Sequence, residues 1–262
     1  MASSRWRLFA ALAVVTCLAG CNGSLQIKEI SPKRIALVDM LPRESFQATQ
    51  RCLTLDIFHV DPVGDDGGIS ARLVTDVAAR LEKEGYGVDI VAPSEKFDRK
   101  TFPGKYMVTP WLMYNTEWHP ALTSWLHDVG VAHNVGAVVF LTGYVVSLYG
   151  NAGPYYGGYG VQASVNCIGI PPTRVTFYAN TGINVFTLPD LKRKYFSTGG
   201  ANYCNVDVPD AMEMKVKEGV LGPADLQPYV GDIQRIALVQ IERELGGANI
   251  LHGATDSCPT LH

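Results

Sequence analysis

Apolar positions along this chain recur with two different periods, and the switches between them mark the elements. Ile35-Ala-Leu-Val-Asp-Met40 is a short, nearly continuous apolar run, which predicts a buried strand. Residues 41–66 are polar and irregular and read as a long surface loop carrying Cys52. Ile69, Leu73, Val77 and Leu81 then recur every four residues, with Val74 and Ala78 widening the stripe, so a helix is predicted there. Asp65 and Asp66 near its start suit the helix dipole, and Gly85 is placed to end it. Val88-Asp-Ile-Val-Ala92 predicts a second strand stopped by Pro93, and Tyr106-Met-Val-Thr109 a third.

Pro120 can open another helix, with Leu122, Trp125, Leu126 and Val129 on one side and Gly130 weakening its end. Ala137–Tyr149 carries the strongest strand signal, its first half continuous and suited to a sheet centre, its second half alternating and nearer an edge. Further strands are predicted near 161–170 and 174–187, with Pro189-Asp190 reversing the chain before Arg193–Ser197. Leu226, Val230, Ile233, Ala237 and Ile241 form a last helical stripe closed by Gly246-Gly247. This order predicts an α/β (mixed α+β) fold, a mixed sheet with helices packed on it and a long C-terminal helix. One domain is expected over residues 35–247, with 248–262 a tail without periodicity.

The first residues follow a different logic. Arg5 and Arg7 precede an uncharged apolar run, Leu8–Val15, and small residues Ala19 and Gly20 stand directly before Cys21. That layout is a secretory signal over residues 1–20, too short in its apolar part to span a bilayer. Leu18-Ala19-Gly20-Cys21 resembles the lipobox of bacterial lipoproteins, where the chain is cut before the cysteine and its thiol is lipidated. The resemblance implies acylation at Cys21, a tether over 21–34 and, because Asn22 rather than aspartate follows, the outer membrane of a diderm bacterium. Each buried methylene contributes about 0.8 kcal/mol, so several acyl chains anchor stably where one does not.

That cleavage leaves 242 of the 262 residues and removes Arg5, Arg7 and no acid, so 22 basic residues against 25 acidic become 20 against 25, a net charge of −5. The basic triplet Lys192-Arg193-Lys194 is too short to indicate nucleic-acid binding and reads as a charged strand turn. Cys52, Cys167, Cys204 and Cys258 remain, an even number in an oxidising compartment, and four cysteines allow three pairings. Cys167 with Cys204 is the preferred pair because both flank the same β-rich stretch, which leaves Cys52 to tether Cys258.

No nucleophile elbow, phosphate loop or zinc-protease helix is present, so no catalytic residue, metal or cofactor is assigned. Gly64-Asp-Asp-Gly-Gly68 lacks a lysine and fits no calcium loop even with Asp61, so it reads as a helix-entry loop. The histidines are scattered, with His127 and His133 on different helix faces and Glu117 and His119 merely close in sequence. Aromatics cluster instead. Trp111, Trp118 and Trp125 fall within fifteen residues, joined by Tyr106 and Tyr114. They form either core beneath a loop, the preferred reading, or a ligand cleft or partner surface. A Gly/Tyr-rich turn carrying Tyr149, Tyr155, Tyr156 and Tyr159 is either a decorated hairpin tip or a second contact surface.

The helix leading into Gly85-Tyr-Gly-Val88, the run Val135-Gly-Ala-Val-Val-Phe-Leu-Thr-Gly-Tyr144 and the segment Val185-Phe-Thr-Leu-Pro-Asp-Leu-Lys-Arg-Lys-Tyr195 together resemble periplasmic α/β lipoproteins. These are the curli-secretion lipoprotein family and the amino-terminal domain of the Tol-system propeller protein. The resemblance covers residues 35–246 in order of elements. This chain departs from it in the long 41–66 segment, the added cysteines and the Tyr/Gly turn, and it lacks a marked membrane-spanning hairpin, so a secretion-pore role is not implied. The resemblance implies a non-enzymatic envelope module that binds proteins and transfers no catalytic residue. The expectation is therefore a lipid-anchored protein of the bacterial outer membrane, with an envelope protein partner, no nucleic acid and an open oligomeric state. The alternative is a periplasmic glycan-binding protein or cell-wall hydrolase using residues 106–125, with Glu117 and His119 as the groups to watch.

Overall fold

In a computed structural model the described residues are 27, 29–41, 47–52, 58–62, 68–99, 102, 106, 118–143, 158–165, 174–196, 204–218, 220–254 and 258–259. The signal segment 1–20, Cys21, the turn at 144–157 and Cys167 lie outside them, as do Trp111, Tyr114 and Glu117.

The expected α/β architecture is present: a mixed nine-stranded sheet with helices on it and a long C-terminal helix. In chain order the strands are β1 (Arg34–Met40), β2 (Gln47–Cys52), β3 (Phe58–Pro62), β4 (Gly87–Val91), β5 (Ala137–Gly143), β6 (Gly158–Val165), β7 (Arg174–Thr187), β8 (Lys192–Phe196) and β9 (Asn205–Asp207). The helices are α1 (Ile69–Lys83), α2 (Pro120–His133), α3 (Asp210–Glu218), the short α4 (Pro223–Leu226) and α5 (Val230–Gly247).

The sheet runs β3-β2-β6-β7-β5-β1-β4, with β8 and β9 also pairing with β7. β4, β1 and β5 are parallel neighbours, as crossover helices require. The long β7 is the spine that joins two ladders. Its second half is antiparallel to β5 and its first half to β6, and the handover is immediate, since Thr181 pairs with Gly143 and Asn180 with Gly158.

Side-chain alternation divides the core between the two faces. Ile35 and Leu37 of β1, Val139 and Leu141 of β5, and Ile183 and Val185 of β7 pack beneath α1 and α5. The intervening Ala36, Val38, Val138, Phe140 and Phe186 pack beneath α2. α1 and α5 lie against each other. Arg72 Nε donates to Gln234 Oε1 (2.6 Å), and Arg80 Nε donates to Glu242 Oε1 (2.7 Å). Both contacts span 162 residues, so the two helices run in the same direction.

The second contact is asymmetric, because the Glu242 side chain is 8% exposed and that of Arg80 42%. Arg80→Met strands a carboxylate in the interface, whereas Glu242→Gln leaves a guanidinium that water reaches. We expect Arg80→Met to cost about 2 kcal/mol in urea unfolding and Glu242→Gln about 1 kcal/mol, with the reverse order excluding this reading.

One sequence expectation changes. The 41–66 stretch is not simply a loop: β2 and β3 pair antiparallel, and β2 lies parallel to β6. Gln47-Ala-Thr-Gln-Arg-Cys52 has no apolar period of its own, and its strand state comes from distant partners. Gly130 lies in the last turn of α2, which runs on to His133. A Cβ there would stand 2.7 Å from Leu188 Cδ1, so the glycine permits close approach to the β7–β8 turn. Of the third predicted strand only Tyr106 is described, where its carbonyl accepts from His119 N (2.8 Å).

The disulfide links Cys204 to Cys258, with the Cα atoms 5.5 Å apart, and so replaces the preferred Cys167–Cys204 and Cys52–Cys258 pairs. The tail behind α5 is not a loose end: Ile250 and Leu251 are buried in the core, and Cys204 is buried beside β9. Packing of the tail, rather than proximity along the β-rich stretch, selects the partner.

Candidate functional site

β1 leads through β2 and β3 to α1 and then β4 on one face, while β4 leads to α2 and then β5 on the other. The two connections therefore leave for opposite faces at the carboxyl ends of the neighbouring strands β1 and β4. In open α/β sheets that switch point is where ligands bind, so this end of the sheet is the candidate site.

Asp39, the charged residue within the apolar run of β1, sits there almost fully buried. Its Oδ1 accepts from Leu41 N (2.9 Å) and lies 3.1 Å from Arg99 Nη1. Arg99 also donates to the Leu41 carbonyl (2.9 Å). The carboxylate and guanidinium thus clasp the backbone that leaves β1. On the α2 face, Asn184 Nδ2 donates to Thr142 Oγ1 (3.3 Å), and Thr142 Oγ1 donates to the Gly182 carbonyl (3.4 Å). Asn184 Oδ1 is buried and has no hydrogen-bond partner among the described residues. The geometry joins an ion pair to a polar rung in an apolar wall, an arrangement that positions the backbone leaving β1.

Aromatic rings occupy the same face. Phe97 meets Tyr106 edge-on at 5.1 Å between centroids and Trp125 at 5.3 Å, and Phe102 lies 4.6 Å from Phe140. Trp118 contacts Phe186 edge-on at 5.1 Å. Phe97, Phe102 and Tyr106 are buried, and Trp118 and Trp125 are partly buried against them. In the described part of 106–125 the rings therefore pack into the core on this face, with Trp118 and Trp125 left partly exposed.

Tyr159 requires correction as a surface candidate. It is 1% exposed, inside β6 opposite Ala179, with its ring in the core beneath α5. Gly158 and Gly160 on either side take φ of 116° and 155°, so these two glycines shape the entry to β6. Tyr155 and Tyr156, with Tyr149, fall outside the described residues.

The histidines are separated. His119 Nδ1 accepts from Ala121 N (3.2 Å) and caps α2 ahead of Pro120. His127 is exposed beside Asp128, and His133 Nδ1 lies 3.2 Å from Asp89 Oδ2. Arg34 Nη2 also bonds Asp89, at 2.9 Å and 3.1 Å to its two oxygens. This Arg34–Asp89–His133 group and the Asp39–Arg99 clasp are the polar clusters that sequence reasoning missed. An aspartate inside the apolar 35–40 run was the signal for the clasp; the distant arginines gave none.

Among the described residues no group of three His, Cys, Asp or Glu side chains is arranged to hold a metal ion, and no helix is long and apolar enough to cross a membrane. No protein-family model, curated protein or solved structure matches the chain.

Proposed function

We propose that this chain is a lipid-anchored protein of the bacterial outer membrane, acylated at Cys21, that acts through protein contacts in envelope assembly, transport support or surface structure. The observation that carries the reading is the sequence Leu18-Ala-Gly-Cys21 behind a basic start and an uncharged apolar run. Several acyl chains hold the domain at a bilayer, where a partner is met by proximity rather than by free diffusion. The resemblance to periplasmic α/β lipoproteins supports a binding module. The described site chemistry supports binding over catalysis, since His119 is spent on capping a helix and Asp39 is neutralised by Arg99.

The test is affinity capture of the lipidated protein from crosslinked envelopes, with crosslinkers at Trp118 and in the Tyr155 region. We expect one envelope protein to be recovered with the wild type and lost with Cys21→Ala, which removes the anchor. Recovery of no partner from either position would contradict the contact role. Glycan binding, the second reading, predicts instead that tryptophan fluorescence responds to cell-wall fragments.

A further inference from the structure

The point at which the chain enters the fold lies very close to Cys21. Ile27 is buried, its N–H donates to the Ala248 carbonyl (3.4 Å), and its own carbonyl accepts from Asn249 Nδ2 (3.1 Å). Ile30 is buried in the same core. The segment then passes the amino ends of the parallel strands, where the Lys33 carbonyl accepts from Gly87 N (3.0 Å) and the Arg34 carbonyl from Gly136 N (2.9 Å). Lys33 Nζ donates to the Glu84 carbonyl just past the end of α1 (2.8 Å). The carboxyl ends of the parallel α1 and α5, the amino ends of β1, β4 and β5, and Ile27 therefore share one end of the domain. Asp39, Arg99 and the start of α1 occupy the opposite end.

Six residue steps separate Cys21 from Ile27, and six steps span at most about 21 Å. α5 alone, with 18 residues, is about 27 Å long. The tether is thus shorter than the domain is tall between its two ends. A domain inverted on the bilayer would raise Ile27 above the surface by more than the tether reaches.

We propose that the end carrying Ile27, Lys33, Glu84 and Ala248 is the membrane-facing end, held against the lipid headgroups, and that the carboxyl ends of β1 and β5 face away from the bilayer. The proposal rests on acylation of Cys21. It makes the switch-point end the part of the domain presented to partners.

The test uses the acylated full-length protein reconstituted into phosphatidylethanolamine/phosphatidylglycerol liposomes that carry a headgroup energy acceptor. A donor dye is placed at Lys83→Cys, exposed at the carboxyl end of α1, or at Glu95→Cys, exposed beyond the carboxyl end of β4. β4 spans about 17 Å, so transfer from position 83 should exceed that from position 95 at least about twofold. A flexible insert of about 20 residues between Gly23 and Ser24 should abolish the difference, since it adds roughly 25 Å of mean reach. Equal transfer from both positions, or stronger transfer from position 95, in protein that floats with the liposomes overturns the orientation while leaving the anchor intact. Protein that does not float, with Cys21 unmodified by mass, overturns the anchor and the orientation with it.

Discussion

Gly136→Ala is expected to destabilise the domain by about 3 kcal/mol, read as a lower urea midpoint with an unchanged slope. A Cβ at this position would stand 2.3 Å from the Pro32 carbonyl oxygen, 2.7 Å from Ser31 C and 2.9 Å from Ile30 Cγ2. The first two are backbone atoms, so relief requires moving the entry segment itself. That segment is fixed by Ile27 on the end of α5 and by the Lys33 and Arg34 carbonyls on β4 and β5, and it cannot shift without losing those bonds. Two other glycines calibrate the measurement. At Gly130 the obstructing atom is Leu188 Cδ1, the end of a flexible side chain, so Gly130→Ala should cost clearly less. At Gly231 in the first turn of α5 nothing lies within 4 Å, so alanine there should be neutral or stabilise by up to about 1 kcal/mol. Equal effects at positions 136 and 231 would show that the entry segment is not packed against β5.

Removing the Cys204–Cys258 link is expected to cost about 2–4 kcal/mol, measured by urea unfolding of Cys204→Ser/Cys258→Ser. The bridge closes a sequence separation of 54 residues that contains α3, α4 and α5, so the unfolded chain gains much freedom when it is broken. Native contacts add to the effect, because the bond pins the tail whose Ile250 and Leu251 complete the core around α5 and Ile27. Non-reducing peptide mapping should recover residues 204 and 258 in one linked peptide pair. By elimination it should then link Cys52 with Cys167; β2 register sets Cys52 opposite Val165, two positions before Cys167. A linked 167–204 pair would contradict the packing of the tail.

How far the sequence carries depends on where each element's information resides. β1, α1, β4, β5 and α5 declare themselves because their periods are local: a helix stripe or an apolar run is sufficient when both faces or one face are buried. β2 and β3 do not, since a polar strand is held by the backbone of β6, which lies more than a hundred residues away. α3 and β9 are short and lie between signals, with β9 defined only by its three rungs on β7. The same distinction governs the candidate site. Tyr159 belongs to a composition that reads as surface, yet the ladder opposite Ala179 turns its ring inward. The Asp39–Arg99 clasp joins residues from two crossovers, so only its buried half was visible in the sequence. The aromatic segment was legible as a choice between core and surface. Edge-on packing of Tyr106 and Trp125 against Phe97 places those rings with the core cluster.

Membrane attachment at Cys21 is the claim on which location, orientation and contact role depend, and intact mass spectrometry of the protein extracted from membranes tests it most directly. The account predicts a mature chain beginning at Cys21 and carrying several fatty acyl chains, with Cys21→Ala giving an unacylated product that leaves the membrane fraction. A chain cut elsewhere, or a wild-type Cys21 free of lipid, would contradict it.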